Sequence, residues 1–411
     1  MEYVSLKKIH YKQPDIEEEV YQCRFHSDLT RHLSLDIKQY NHKRAYPAFL
    51  CYTENMLLLQ EKINKKYEKF LYIVNTVPPV VLRQFSLACI VDEVKSTNDI
   101  EGVKSTRREI SMVLDEGLSA DNRMSSVVHK YQSLLSKDDI PFFTCQDIRN
   151  FYDSFAHEEV IKEDPRNKLD GKIFRHGSVD IASVTGKTIH RGLYPESAIT
   201  SALTQALAIL HDENMPILSR VSVFHYLFAY IHPFYDGNGR TDRFITAYFL
   251  ARHFHPLVAI RLSVTIKRYR KKYYTLFEDT DSELNRADLT TFVEGFWSLL
   301  LISFEDTIRL LSRKKEQLER FEKKLSELYS GDKLTENIYY ILLQAALFYG
   351  QGITMQDLMS VTQKSRATIQ KRLDSIPDAH LAKSRIKNVY YQQFTAFKPL
   401  AHRPKPMLAK P

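Results

Sequence analysis

The residues of this chain best suited to chemistry lie together in the stretch IHPFYDGNGRTDRF, positions 231 to 244. His232 carries an imidazole that titrates near neutrality and is suited to removing a proton from an incoming hydroxyl. Gly237, Asn238 and Gly239 place two of the chain's 12 glycines around one asparagine, so the backbone can turn with its N–H groups exposed. A helix expected from about Arg240 puts those N–H groups at its positive end, a ready place for a phosphate. Arg240 and Arg243 project from neighbouring positions of that helix and can grip further phosphate oxygens in pairs. Asp236 just ahead of the turn would repel phosphates unless a cation intervened, which implies Mg²⁺ shared between Asp236 and phosphate oxygens. The combination describes phosphoryl or nucleotidyl transfer achieved by positioning and charge. A plain turn and a surface ion pair would account for each part, but not for their conjunction at this spacing.

The elements around the stretch must deliver it. VSVFHYLFAYI before it is almost wholly apolar and reads as a buried helix (220 to 231) that carries His232 to its C-terminal rim. Pro233 cannot easily continue that helix, and Phe234 serves as an anchor. Helical periodicity also covers 54 to 75, 121 to 136, 146 to 157, 195 to 213 and about Arg240 to Phe254. A further helix runs from the prolines at 78 and 79 toward Gly102, and Thr106 with Glu109 has capping-box spacing. Residues 170 to 195, with three glycines and short alternations, read as a β-hairpin between helices. Its exposed strand edge over 172 to 193 suits a target peptide added as a strand, while Lys187, His190 and Arg191 read by default as solvated loop charges. Tyr273 and Tyr274 fit either core packing or the lining of an adenine pocket.

A long helix after residue 286, apolar first and charged later, ends at SGD (330 to 332). Residues 334 to 396 then read as three helices followed by a strand pair, a winged helix-turn-helix pattern. Lys364, Arg366, Gln370, Lys371 and Arg372 fall on or beside its third helix, and Lys383, Arg385 and Lys387 on the wing. That distribution suits phosphate contacts in a DNA groove, although such modules also bind proteins. A specific duplex site would normally require a homodimer. The expected organisation is a helical segment 1–78, a catalytic domain 79–310, a charged helical connector 311–333, the winged helix 334–398 and a tail 399–411.

Composition sets the outer limits. At 44% hydrophobic and 26% charged, the chain has the make-up of a soluble globular protein, mainly α in class. No apolar run approaches the ~20 residues of a membrane-spanning helix, and the first residues lack the apolar core of a secretory signal. A cytoplasmic protein is expected. Cys23, Cys51, Cys89 and Cys145 show no metal-ligand spacing and read as reduced thiols. The net charge of +8 is compatible with phosphate-bearing partners without demanding them.

His232-Pro-Phe-Tyr-Asp236-Gly-Asn-Gly-Arg240-Thr-Asp-Arg243 matches every position of the Fic motif, HPFx(D/E)GNGRxxR, and the chain resembles that family over about residues 79 to 310. The resemblance implies a helical Fic-type bundle with a β-hairpin flap that transfers AMP from ATP to a hydroxyl side chain of a target protein. It further implies that His232 is the base and Asp236 the Mg²⁺ ligand. Asn238 with Gly237 and Gly239 would form the α-phosphate anion hole, and Arg240 and Arg243 would hold the distal phosphates. Upstream, Thr97-xxx-Glu101-Gly102 matches the family's inhibitory signature, (S/T)xxxE(G/N). A Glu101 carboxylate paired with Arg243 would displace ATP from its productive pose. Removal of AMP, use of another nucleotide, or a DNA-binding regulator with a nucleotide-sensing pocket all stay open. The intact His232 argues against a pure sensor, since nucleotide binding needs phosphate holders but no base.

Overall fold

The structure, a computed structural model, describes residues 3–116, 123–182, 188–328, 331–348, 352–386 and 389–395. The fold is mainly helical with few short strands, as the periodicity predicts. Its residues group into two compact units, one of 1–71 with 89–307 and one of 72–88 with 308–411.

The first unit opens with α1 (Leu6–Lys12) and α2 (Glu17–Phe25). Two strands follow, β1 (Thr30–Lys38) and β2 (Ala45–Cys51), paired antiparallel with a register shift between His32 and Asp36. The segment expected to be helical therefore carries a hairpin as well. In β1, Leu33, Leu35 and Ile37 are buried and alternate with exposed neighbours, the two-residue period of a half-buried strand. Next come α3 (Glu54–Asn75) and α4 (Pro79–Ile100), the latter reaching the first unit from Cys89 onward.

The Thr106–Glu109 capping box forms and starts α5 (Arg107–Glu116): Glu109 N–H donates to Thr106 Oγ1 at 3.1 Å, and Thr106 N–H to the Glu109 carboxylate at 2.8 Å. It is followed by α6 (Ser125–Ser136), α7 (Cys145–Tyr152), a π-helical turn at 153–157 and α8 (Glu158–Glu163). The expected hairpin is present as β3 (Asp180–Ala182) and β4 (Thr188–Arg191), and α9 (Glu196–Leu210) follows. At the centre are α10 (Ile217–Ile231) and α11 (Asn238–His253), both almost entirely buried. Around them lie α12 (Pro256–Ala259), α13 (Leu262–Arg268), α14 (Arg270–Thr280) and the start of α15 (Thr290–Leu328), whose single run includes most of the expected connector.

The second unit contains the rest of α15, then α16 (Lys333–Phe348), β5 (Ile353–Thr354), α17 (Met355–Thr362) and α18 (Arg366–Asp374). Strands β6 (Leu381–Ile386) and β7 (Val389–Phe394) complete a three-stranded sheet in the order β5-β7-β6. Ser365 caps α18 by accepting the Thr368 N–H, and Ile369 and Leu373 turn inward. Lys364, Arg366 and Lys371 are left exposed. Lys187, Lys387 and residues 399–411 lie outside the described residues, as does the side chain of Arg385.

Candidate functional site

The central helix pair is joined by residues 232–237. His232 ends α10 in the left-handed region (φ 53°, ψ 62°), with its N–H still donating to Phe228 O at 2.9 Å. Phe234 is fully buried and stacks on Tyr152, with ring centroids 3.7 Å apart. The Asn238 side chain grips the Phe234 backbone from both sides, accepting its N–H at 2.9 Å and donating to its carbonyl at 2.8 Å. Its amide therefore shapes the loop. What Asn238 offers an anion is its main-chain N–H in the first turn of α11, alongside those of Gly239 and Arg240. Gly237, at φ 80°, makes the left-handed turn into that helix.

His232 Nδ1 lies 3.3 Å from Ala229 O, so the tautomer fitting this contact has Nδ1 protonated and Nε2 free to accept. Desolvation, with His190 and Arg175 adding positive charge nearby, pushes its pKa down to about 3. The ring is therefore neutral across the physiological range. Asp236 holds the Gly237 N–H through Oδ1, and among the described residues its second oxygen has no partner.

Both arginines of the stretch are fully buried or nearly so, and each faces a carboxylate. Arg240 Nη1 lies 2.5 Å from Glu159 on α8, while its Nε and Nη2 have no hydrogen-bond partner among the described residues. Arg243 Nη1 lies 2.7 Å from Glu101 Oε1. Its Nε donates to Thr97 Oγ1 at 2.9 Å and its Nη2 to the Thr97 carbonyl at 3.1 Å. Burial opposes the Arg243 charge, the Glu101 carboxylate and the Tyr273 and Tyr274 hydroxyls favour it, and on balance the pKa is raised.

Several contacts fix α4 so that this pairing occurs. Glu93 accepts the N–H groups of Ser263 and Val264 at the start of α13 at 3.0 and 3.3 Å. Asp99 pairs with Lys267 at 2.5 Å and with Lys95. Gly102 turns the chain away at φ 78°. A β-carbon at Gly239 would stand 2.2 Å from Glu101 Oε1, so bare backbone at the head of α11 is what admits the carboxylate. Glu101 thus occupies the anion-attracting end of the helix.

The structure brings Thr97, Glu101, Gly239 and Arg243 together. His190 is buried with Nε2 2.7 Å from Tyr230 O, so it is not the solvated loop charge expected, whereas Arg191 stays partly exposed and bonds Asp180 across the hairpin at 2.8 Å. Tyr273 is buried, its hydroxyl 2.7 Å from His225 Nε2, while Tyr274 is exposed. Glu159, Tyr152 and Arg175 also belong to the site. Sequence reasoning missed all three, because their partners lie 57 to 84 positions away with no shared spacing pattern.

The sequence profile of the Fic/DOC family matches residues 143–250, the span that holds α7 to α11 and this loop. The chain carries a Fic/DOC domain. The chain is 35% identical to the protein adenylyltransferase Fic of Drosophila ananassae over 83 residues, 20% of this chain and 15% of that one. It is 27% identical to the protein of the same name from Drosophila melanogaster over 206 residues, 47% of this chain and 37% of that one. The chain thus matches well under half the length of these curated relatives. Among solved structures, a Fic family protein from Desulfovibrio desulfuricans G20 is similar at 20% identity and TM-score 0.49, covering 85% of this chain and 98% of that one. A Fic-1 fragment from C. elegans is similar at 16% identity and TM-score 0.44, covering 75% and 81%. In this Fic/DOC domain no group of three His, Cys, Asp or Glu among the described residues is arranged to hold a metal ion. Asp236, with one oxygen unpartnered among the described residues, suits a single ligand position on a divalent cation. No helix among the described residues is long and apolar enough to cross a membrane.

Proposed function

We propose that the Fic/DOC domain is a protein adenylyltransferase that moves AMP from ATP to a hydroxyl side chain of a target protein, and that Glu101 restrains it. The observation that carries this reading is Glu101 seated against the buried Arg243 at the first turn of α11, which begins six residues along the chain from a neutral His232 at the other end of the same short loop. The carboxylate is a stand-in for phosphate: an anion seated on bare backbone at a helix N-terminus and gripped by a guanidinium.

In the proposed reaction a target hydroxyl oxygen bonds to the α-phosphorus while the bond to the β-phosphate bridging oxygen breaks, releasing pyrophosphate. His232 Nε2 accepts the hydroxyl proton, and Nδ1–H stays on Ala229 O to hold the tautomer. The Gly239 and Arg240 N–H groups and the Arg243 guanidinium stabilise phosphate charge. Arg240 contributes through Nε and Nη2, which have no partner among the described residues. Mg²⁺, bound through Asp236, would neutralise phosphate charge. The hairpin edge (β3–β4) is the surface to which the target main chain is assigned.

Two forms of labelled ATP test this reading. Incubated with the Glu101→Gly protein and a lysate, label at the α-phosphate should enter protein and label at the γ-phosphate should not. Retention of the γ label would make the enzyme a phosphotransferase. Release of AMP from a pre-labelled target by the unaltered protein would favour de-AMPylation, with Glu101 as a participant. For residues 333–395 we propose a winged helix that contacts duplex DNA, supported by the exposed Lys364, Arg366 and Lys371 at α18. A homodimer would supply two such helices to one site.

A further inference from the structure

Arg175 is fully buried, and among the described residues it makes no ion pair. Its hydrogen bonds run instead to main-chain carbonyls: Nε to His232 O at 2.9 Å, Nη2 to His232 O at 2.7 Å and to Ile231 O at 3.5 Å, and Nη1 to Gly177 O. A buried guanidinium without a carboxylate is unfavourable. Burial pulls its pKa down to about 10, which still leaves it charged at neutral pH.

Where those bonds go is informative. Three of the four end on the last residue of α10 and on His232. A left-handed conformation is unfavourable for a residue with a β-carbon, and the His232 backbone is held there at φ 53° where the chain leaves α10. Two N–H groups on one carbonyl fix that peptide plane. The second leg of the hairpin passes over the same place. A β-carbon at Gly192 would stand 2.4 Å from Arg175 Nη2 and 2.8 Å from His232 Cβ, and Leu193 N–H donates to Ile231 O at 3.0 Å.

We infer that Arg175 is a positioning residue for His232, clamping its left-handed carbonyl and placing a fixed positive charge that disfavours a second one on the imidazole. The inference rests on the reading of His232 as the base. Among the described residues two charged or titratable side chains act on the ring: His190 from β4 and Arg175 from the segment ahead of β3. Asp281, after α14, acts in turn on His190, and Asp170 on Arg175. In the free protein burial, with this field added to it, keeps Nε2 unprotonated and available. When ATP binds at the head of α11, its negative charge offsets the field and restores basicity to the ring that must take the proton.

The sign is fixed by the direction of the shift. With the folded value below the unfolded one, the folded state resists proton uptake as pH falls below about 6.5. NMR titration of carbon-13-labelled histidines, with the His232 signal assigned by its loss in His232→Ala, should show no His232 midpoint between pH 8 and 5. In Arg175→Gln the midpoint should rise by at least one unit, because the permanent positive charge beside the ring is gone. Arg175→Lys keeps charge but not the two-pronged clamp. It should leave the midpoint low while kcat, measured with Glu101→Gly also present, falls at least tenfold at unchanged KM for ATP. A wild-type midpoint near 6.5, or an Arg175→Lys protein with full kcat, overturns the inference. If Arg175→Gln does not fold, the wild-type titration and the lysine variant still decide. Because the titration needs no turnover, a failure to detect AMP transfer would count against the proposed function alone.

Discussion

Replacing Glu101 with glycine isolates the proposed restraint. Arg243 is 1% exposed and bonds both Thr97 and Glu101, whereas the Glu101 side chain is 26% exposed, so the pair is only partly shielded from water. A charge-assisted hydrogen bond of this kind contributes about 1.5–3 kcal/mol. Because it must be broken before a phosphate can take its place, its removal should tighten ATP binding by roughly ten- to a hundredfold. The gain is smaller at saturating ATP if Glu101 acts only as a competitor, and persists in kcat if the carboxylate also misplaces the α-phosphate. Calorimetric titration with ATP separates affinity from turnover, and labelling from α-labelled ATP follows transfer. Glu101→Gln keeps the shape of the side chain and should yield an intermediate gain. Adding Arg243→Ala should cancel the gain, since the liberated guanidinium is gone. Unchanged ATP affinity and labelling in Glu101→Gly would refute the reasoning and leave the contact a structural one.

Three other outcomes are expected. His232→Ala, in the Glu101→Gly background, should lower transfer at least a hundredfold with ATP affinity changed less than threefold, because the ring makes no phosphate contact; kinetics and calorimetry on one preparation check both. Gly239→Ala should expel the Glu101 carboxylate yet fail to activate, since the added methyl obstructs the backbone a phosphate must reach; ATP affinity should fall about tenfold or more even beside Glu101→Gly. Changing Arg366 and Lys371 together to Ala should weaken duplex binding and lower the slope of log affinity against log salt by about 2, as measured by fluorescence anisotropy. Absence of any DNA binding by the full chain at low salt would instead favour a protein partner for α18.

The loop chemistry was legible in the sequence because its parts are neighbours in the chain. His232, Asp236, Gly237, Asn238, Gly239, Arg240 and Arg243 fall within a dozen positions, and an apolar helix followed by proline, a Gly-Asn-Gly turn and a new helix leaves little choice of geometry. Thr97 and Glu101 were legible for the same reason: helical spacing puts them on one face, and Gly102 ends the run. The strand pair at 30–51 was legible in principle from the alternation of Leu33, Leu35 and Ile37, but the helical periodicity around it dominated the reading.

What only the tertiary structure decided was the set of partners brought in from other elements. Glu159 reaches Arg240 from 81 positions away and Arg175 reaches His232 from 57, and a bond to a main-chain carbonyl leaves no trace in residue type. Burial is collective in the same way. Nothing about His190 as a letter says that packing will take it out of water, and nothing about His232 says that desolvation and a neighbouring guanidinium will hold it neutral. Local spacing could therefore name the groups suited to chemistry, while their charge states depend on dielectric and on distant charges, which exist only once the chain has packed.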